Sequence, residues 1–243
     1  MKRIFLSLLL SAASVYACGE GPGKSWLVDH PRVLGARIEG ENVTWLVARA
    51  PSRTGWAFAA CPTIEGQFAQ PRCDSEVISA ASGEATNTEL VAMTTGALPT
   101  KTLVLAAFCA DGPATLEPRG FTATCASGAE PLLASVETGA SDNRIPSLPD
   151  DAIVMPPCGG SFQVRLDEAM RDPGEGLLLA HFVSAGELDR TYSTLEANER
   201  GPKEVVVPWT APADARDVKV YFVLRDGRGG TAFATRTICK REP

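Results

Sequence analysis

Residues Val218 to Cys239 read VKVYFVLRDGRGGTAFATRTIC, and this stretch decides the fold class. Val218, Val220, Phe222 and Leu224 fall on alternate positions, with Lys219, Tyr221 and Arg225 on the other face, which is the two-residue period of a half-buried strand and not the 3.6-residue period of a helix. Asp226-Gly227-Arg228-Gly229-Gly230 then supplies residues that tolerate positive φ, as a hairpin connection requires. A second strand runs from there to Cys239.

The same arrangement recurs upstream. Thr102 to Phe108 is followed by Cys109-Ala110-Asp111-Gly112, a proline-containing turn, a strand and Cys125. Val43–Val47, Gly55–Ala59 and Phe121–Thr124 are further short β-rich runs, and Ser161–Asp167 alternates with Phe162, Val164 and Leu166 facing inward. No long helical period interrupts them. A chain of 243 residues accommodates two domains of ordinary size, and the boundary is placed in Ala126–Pro131. Residues 26–130 form the first unit and 131–243 the second, each expected to hold about seven strands.

Val207 to Cys239, beginning VPWTAPADARD, resembles the last third of bacterial immunoglobulin-like or PKD-like repeats: an aromatic-Thr-Ala-Pro corner, an alternating strand, an Asp-Gly-x-Gly-Gly turn and a final strand. Leu98 to Cys125 is a degenerate version. The resemblance implies an all-β protein of two tandem immunoglobulin-like β-sandwich domains. The layout as a whole is similar to bacterial predicted outer-membrane lipoproteins with such domains.

The N-terminus agrees with that resemblance. Lys2 and Arg3, the apolar Ile4–Leu10 and the small-residue approach Ser11–Ala17 have the order of a signal peptide over residues 1–17, too short and too small-residue-rich at its end to cross a bilayer. Val15-Tyr16-Ala17-Cys18 resembles the lipobox, which implies that Cys18 becomes the lipidated mature N-terminus; Tyr16 stands where a smaller residue is usual. An ordinary secretory signal that leaves Cys18 as a thiol is the alternative. Gly23-Lys24-Ser25 does not end a phosphate-binding loop, because the glycine that must begin the loop is replaced by Cys18 and Pro22 interrupts it. Residues 18–25 read as a flexible tether. Gly19, in place of the Asp associated with inner-membrane retention, implies the outer membrane, on either its periplasmic or its cell-surface face.

Seven cysteines leave one over, and lipidation of Cys18 makes the remaining six an even set suited to an oxidising compartment. Six cysteines allow 15 pairings. The expected set is Cys61–Cys73 and Cys109–Cys125, closing local loops, and Cys158–Cys239, the two cysteines beyond Pro131.

Catalytic and metal sites are hard to find. His30 and His181 are the only histidines; the first precedes Pro31 at an exposed edge, and the second sits in the apolar run Gly176–Val183, where a hydrogen-bonded strand histidine is expected. No Ser stands in a G-x-S-x-G elbow. The cysteine spacings do not suit a zinc knuckle, and Asp150, Asp151 and Asp226 read as solvated loop carboxylates in preference to calcium ligands. No cofactor is expected. Trp45, Trp56 and Trp209 read as core residues. Glu168, Asp172 and Glu175 around Pro173-Gly174 are the only carboxylate set for an alternative hydrolase of envelope polymers, and they read first as a turn. In the long Pro-rich segment 138–160, Ile145, Leu148, Ile153, Val154 and Met155 either pin the loop onto the sandwich or form a partner-binding edge. The formal charge of −6 is spread without a basic block, which excludes the electrostatic footprint of a nucleic-acid binder. The expectation is a noncatalytic, lipid-anchored envelope protein that binds or scaffolds an envelope protein or polysaccharide, or else a subunit of an envelope or secretion assembly.

Overall fold

The computed structural model describes residues 24–63, 71–73, 76–138 and 145–240. Cys18, the signal segment, nearly all of the tether and residues 139–144 lie outside them. The first sandwich contains β1 (Arg32–Glu39), β2 (Asn42–Ala48), β3 (Arg53–Pro62), β4 (Ser79–Thr86), β5 (Leu90–Thr94), β6 (Thr102–Ala110), the short hairpin β7 (Ala114–Glu117) and β8 (Thr122–Cys125), and β9 (Leu132–Glu137). The second contains β10 (Ile153–Val154), β11 (Gly160–Leu166), β12 (Leu177–Val183), β13 (Glu187–Leu188), β14 (Tyr192–Leu195), β15 (Lys203–Thr210), β16 (Val218–Arg225) and β17 (Thr231–Ile238).

The two units share one strand order. In the first, β1-β2-β5 faces β4-β3-β6-β9; in the second, β10-β11-β15-β13 faces β14-β12-β16-β17. Each pairs its first, second and fifth principal strands in one sheet and the rest in the other, the order of an immunoglobulin-type sandwich. The chain is therefore all-β.

The inward residues of the opening stretch behave as their alternation dictates. Val218, Val220, Phe222 and Leu224 join Phe162, Val164 and Leu166 of β11, Leu177 and Leu179 of β12, and Val205, Val207 and Trp209 of β15 in one buried cluster. Antiparallel pairing of β16 with β17 runs from Val218 opposite Ile238 to Arg225 opposite Thr231. Their turn is closed by Asp226, whose Oδ1 accepts from the backbone N–H of Arg228 at 2.8 Å and of Gly230 at 2.9 Å. A Cβ at position 230 would stand 2.0 Å from Asp226 Oδ2, so only glycine fits there. Trp45 packs edge-to-face on Phe108 in the first core, and Trp56 is partly buried against the same cluster.

Three expectations need correction. The first concerns the boundary. The last strand of the first sandwich is β9, paired with β6 from Leu103 opposite Glu137 to Phe108 opposite Leu132, so the first unit runs past residue 130 and through Glu137. The repeat had been aligned on Cys125, but β8 pairs with β7 as an inserted hairpin, whereas β17 pairs with β16. Ala126–Pro131 is the connection into β9 and not a linker between domains.

The second correction concerns the outward face of β16. Tyr221 and Val223 are buried there, in a cluster with Val28, Leu34, Leu46 and Ala48 that joins the two sandwiches. Around it, Tyr221 donates its hydroxyl proton to Glu89 Oε1 at 2.8 Å, Lys219 Nζ lies 2.9 Å from Glu89 Oε2, and Arg225 Nη2 donates to the Leu34 carbonyl at 2.8 Å. Arg49 Nη1 bridges the carbonyls of Val28 and Ser184 at 3.3 and 3.4 Å.

Third, the residues that open the first unit in sequence are seated on the second. Val28 N–H donates to the Val183 carbonyl at 2.8 Å and Val183 N–H to the Trp26 carbonyl at 3.0 Å, a short parallel bridge at the end of β12.

Three disulfides cross-brace this frame: Cys61–Cys73, Cys109–Cys125 and Cys158–Cys239, with sequence separations of 12, 16 and 81. The second fastens the inserted hairpin to β6. The third connects the loop before β11 to the residue after β17 and so spans the two sheets of the second sandwich. In segment 138–160, Ile153 is in the core, Leu148 and Met155 pack against it, and β10 pairs with β11, while Val154 is 59% exposed.

Candidate functional site

β1 and β9 are each the outermost strand of their sheet, and they face one another along one side of the first sandwich. Between them is a cleft of about 600 Å³, lined by Pro31–Ala36 and Pro131–Val136. Trp45 reaches it from the core, and Arg225 and Thr231 reach it from the second sandwich. Among the described residues, the outer edges of β1 and β9 carry no paired strand, so each presents a row of backbone donors and acceptors.

The cleft is electropositive. Arg225 gives one hydrogen bond to the Leu34 carbonyl, and Arg32 donates to the Ser25 and Leu27 carbonyls at 3.0 and 3.4 Å. Neither has a carboxylate within ion-pair distance among the described residues, and burial alone pulls the Arg225 guanidinium below its ordinary pKa. A positive charge held out of water without an opposite charge is costly and favours any anion that can reach it. The Nε1 of Trp45, which is 1% exposed, is also without a partner.

Arg32 also borders a second groove, of about 440 Å³, on the outward face of β12 and β14. Trp26, Phe182, Leu178 and Tyr192 line it, the tyrosine 58% exposed, and the Arg32 guanidinium lies 5.8 Å from the centre of the Phe182 ring.

The residues singled out for chemistry are scattered and structurally tied. Glu175 is buried, pairs with Arg228 at 2.8 Å and accepts from the N–H of Asp172 at 3.3 Å; Glu168 lies 3.7 Å from Arg200. Asp150 pairs with Arg236 at 2.8 Å. His30 is exposed, with Nδ1 2.5 Å from Asp29 Oδ1, and lines the cleft. His181 lies in the core of the second sandwich between Phe162 and Phe222, edge-to-face with both, and its Nε2 is 2.9 Å from Ser193 Oγ.

The environment of His181 has a consequence for acid stability. Desolvation, with a smaller contribution from the Arg190 charge, pushes its pKa down from 6.5 to about 3. The folded protein thus keeps a neutral imidazole where the unfolded chain takes up a proton. That stability is fully present above pH 6.5 and is lost as pH falls from there toward 3, at about 1.4 kcal/mol per pH unit. Urea unfolding at pH 7 and pH 5 should differ by about 2 kcal/mol from this group, and the difference should vanish in His181→Leu. An unchanged pH slope in the variant would assign the acid sensitivity to carboxylates.

Arg225, Arg32, Leu133 and Trp26 had no functional role in the sequence reading. The available signal was Val223, an apolar residue on the supposedly solvated face of β16, which marks a strand buried on both sides.

Fold and site together define a tandem β-sandwich protein with a preformed, open-edged cleft beside the interface of its two units. No family model and no curated protein matches the chain. Among solved structures, red sea bream transglutaminase matches at 9% identity with a TM-score of 0.28, over 88% of this chain and 31% of that one. Escherichia coli alpha-2-macroglobulin in its native conformation matches at 12% identity with a TM-score of 0.27, over 87% of this chain and 16% of that one. This chain thus spans under a third of either protein's length, and likenesses of this size carry no argument about function.

Proposed function

We propose that this chain is a lipid-anchored protein of the bacterial outer membrane that works without catalysis, as a binding or scaffolding module of the cell envelope related to immunoglobulin-like and PKD-like repeat proteins. The observation that carries the reading is the cleft: a concave surface between two free strand edges, braced by a buried interface and three disulfides. The ties of Glu175 to Arg228 and of Glu168 to Arg200 favour binding over hydrolysis, because carboxylates engaged in structure are poor acid–base groups. The lipobox-like Val15–Cys18 supports the anchor.

Cells fed labelled palmitate should incorporate label into the protein, and Cys18→Ser should abolish incorporation and move the protein from the detergent phase to the aqueous phase. Label retained by the variant would end the anchored reading. Photo-crosslinking from position 133 in intact cells, followed by mass spectrometry, should yield an envelope component. A stoichiometric complex of several subunits would instead identify an assembly component.

A further inference from the structure

We propose that the cleft between β1 and β9 receives a short, extended, acidic peptide segment of a partner protein, which adds as a strand to the free edge of β9 and places a carboxylate at Arg225. The proposal rests on the binding-module reading but not on the lipid anchor.

Three features of the cleft specify this occupant. The free edge of β9 offers backbone donors and acceptors that an extended peptide satisfies along its length, whereas a compact ligand satisfies only a few. Arg225 is drawn partly out of water with only the Leu34 carbonyl as partner, so a carboxylate arriving there gains a charge-assisted hydrogen bond in a low-dielectric setting. Leu133, 41% exposed on β9, provides apolar surface for a side chain of the added strand. A polysaccharide would instead call for exposed aromatic faces, and the ring that reaches this cleft, Trp45, is 1% exposed.

The same geometry limits the segment's length. The register of β1 shifts between Val33 and Gly35, a bulge that blunts an edge strand against open-ended pairing. A Cβ at Gly35 would stand 3.0 Å from Phe233 and 3.1 Å from Val223, so β1 is pressed directly onto the second sandwich at that point. The slot is therefore preformed, and it accepts a short strand in preference to the edge of another sheet.

The test uses the full mature chain carrying Cys18→Ser and a displayed library of random dodecapeptides. Enriched peptides should carry Asp or Glu, and a synthetic copy should slow hydrogen exchange at backbone amides of residues 132–137. Replacing the acidic residue of the peptide by its amide should weaken binding about tenfold or more, a change that cannot unfold the protein. Arg225→Gln, checked for an unchanged melting temperature, should weaken binding similarly. Absence of enrichment, enriched peptides without acidic residues, or protection confined to the groove of Trp26 and Tyr192 would overturn the proposal. If cellular crosslinking captures an envelope component while no peptide protects this edge, the binding-module reading stands and this inference falls.

Discussion

Alanine at both Cys158 and Cys239 is expected to destabilise the protein by about 4 to 5 kcal/mol, more than the loss of either of the other two disulfides. The bond closes a segment with a sequence separation of 81, so on the chain-entropy model it removes more unfolded-state freedom than the bonds closing 12 and 16, each worth about 3 kcal/mol. Cys239 is also buried, packs into the second core and donates its N–H to the Pro157 carbonyl at 2.8 Å. Guanidinium unfolding of the whole chain, oxidised, should show the loss as a lower midpoint with a steeper slope, because the unfolded chain freed of the cross-link exposes more surface. A loss below about 1 kcal/mol would show that the unfolded chain is already constrained there by other means. The measurement belongs on the whole chain. A fragment cut at Pro131 would separate β9 from β6 and bare Tyr221 and Val223, which the first sandwich covers.

The second large effect is expected at Arg171. This side chain is buried where the turn after β11 meets the connection from β14 to β15. Its Nη1 donates to the carbonyls of Glu175, Leu195 and Glu196, the last two at 3.2 and 2.9 Å, and its Nη2 to the Glu199 carbonyl at 2.7 Å. One planar guanidinium thus holds four main-chain acceptors from two loops. Arg171→Met keeps most of the side-chain volume and leaves those acceptors without their donor, which should cost about 3 to 5 kcal/mol. Arg171→Lys keeps the charge but lacks the fork and should recover only part of the loss. Thermal unfolding of the two variants checks the order. If Arg171→Met lost less than Arg171→Lys, packing would outweigh the hydrogen bonds.

Much of the architecture was legible in the sequence because it is written in local periods. The alternation of Val218 to Leu224 and of Phe162 to Leu166 identified the residues of each strand that fill the core of the second sandwich, since a period of two puts them all on one face. Cys61–Cys73 and Cys109–Cys125 join the pairs that chain proximity suggested, and Cys158–Cys239 joins the two cysteines that lie beyond Pro131. What was not legible depends on encounters between distant segments. The hairpin β7–β8 places a strand and a cysteine where the final strand of the sandwich was expected, and only the pairing of β9 with β6 exposes the substitution. The cleft arises because β1 and β9 end up as opposite edges, and the character of Arg225 depends on a carbonyl of β1. No window of sequence contains those facts.

The short bridge of Trp26–Val28 onto Val183 fixes an order of events during biosynthesis. Strands β1 to β9 are contiguous in the chain and can close around their own core as soon as they emerge. The segment that leads them, however, has no docking partner until β12 has been made, and Leu34 and Leu46 have no cover until Tyr221 and Val223 follow. A nascent chain that ends at β9 therefore has no cover for Leu34 and Leu46 and no docking partner for Trp26–Val28, and apolar surface exposed in this way attracts holding chaperones. Synthesis of β12 and β16 ends that exposure, which makes the seating of Trp26–Val28 and the covering of Leu34 late steps in folding.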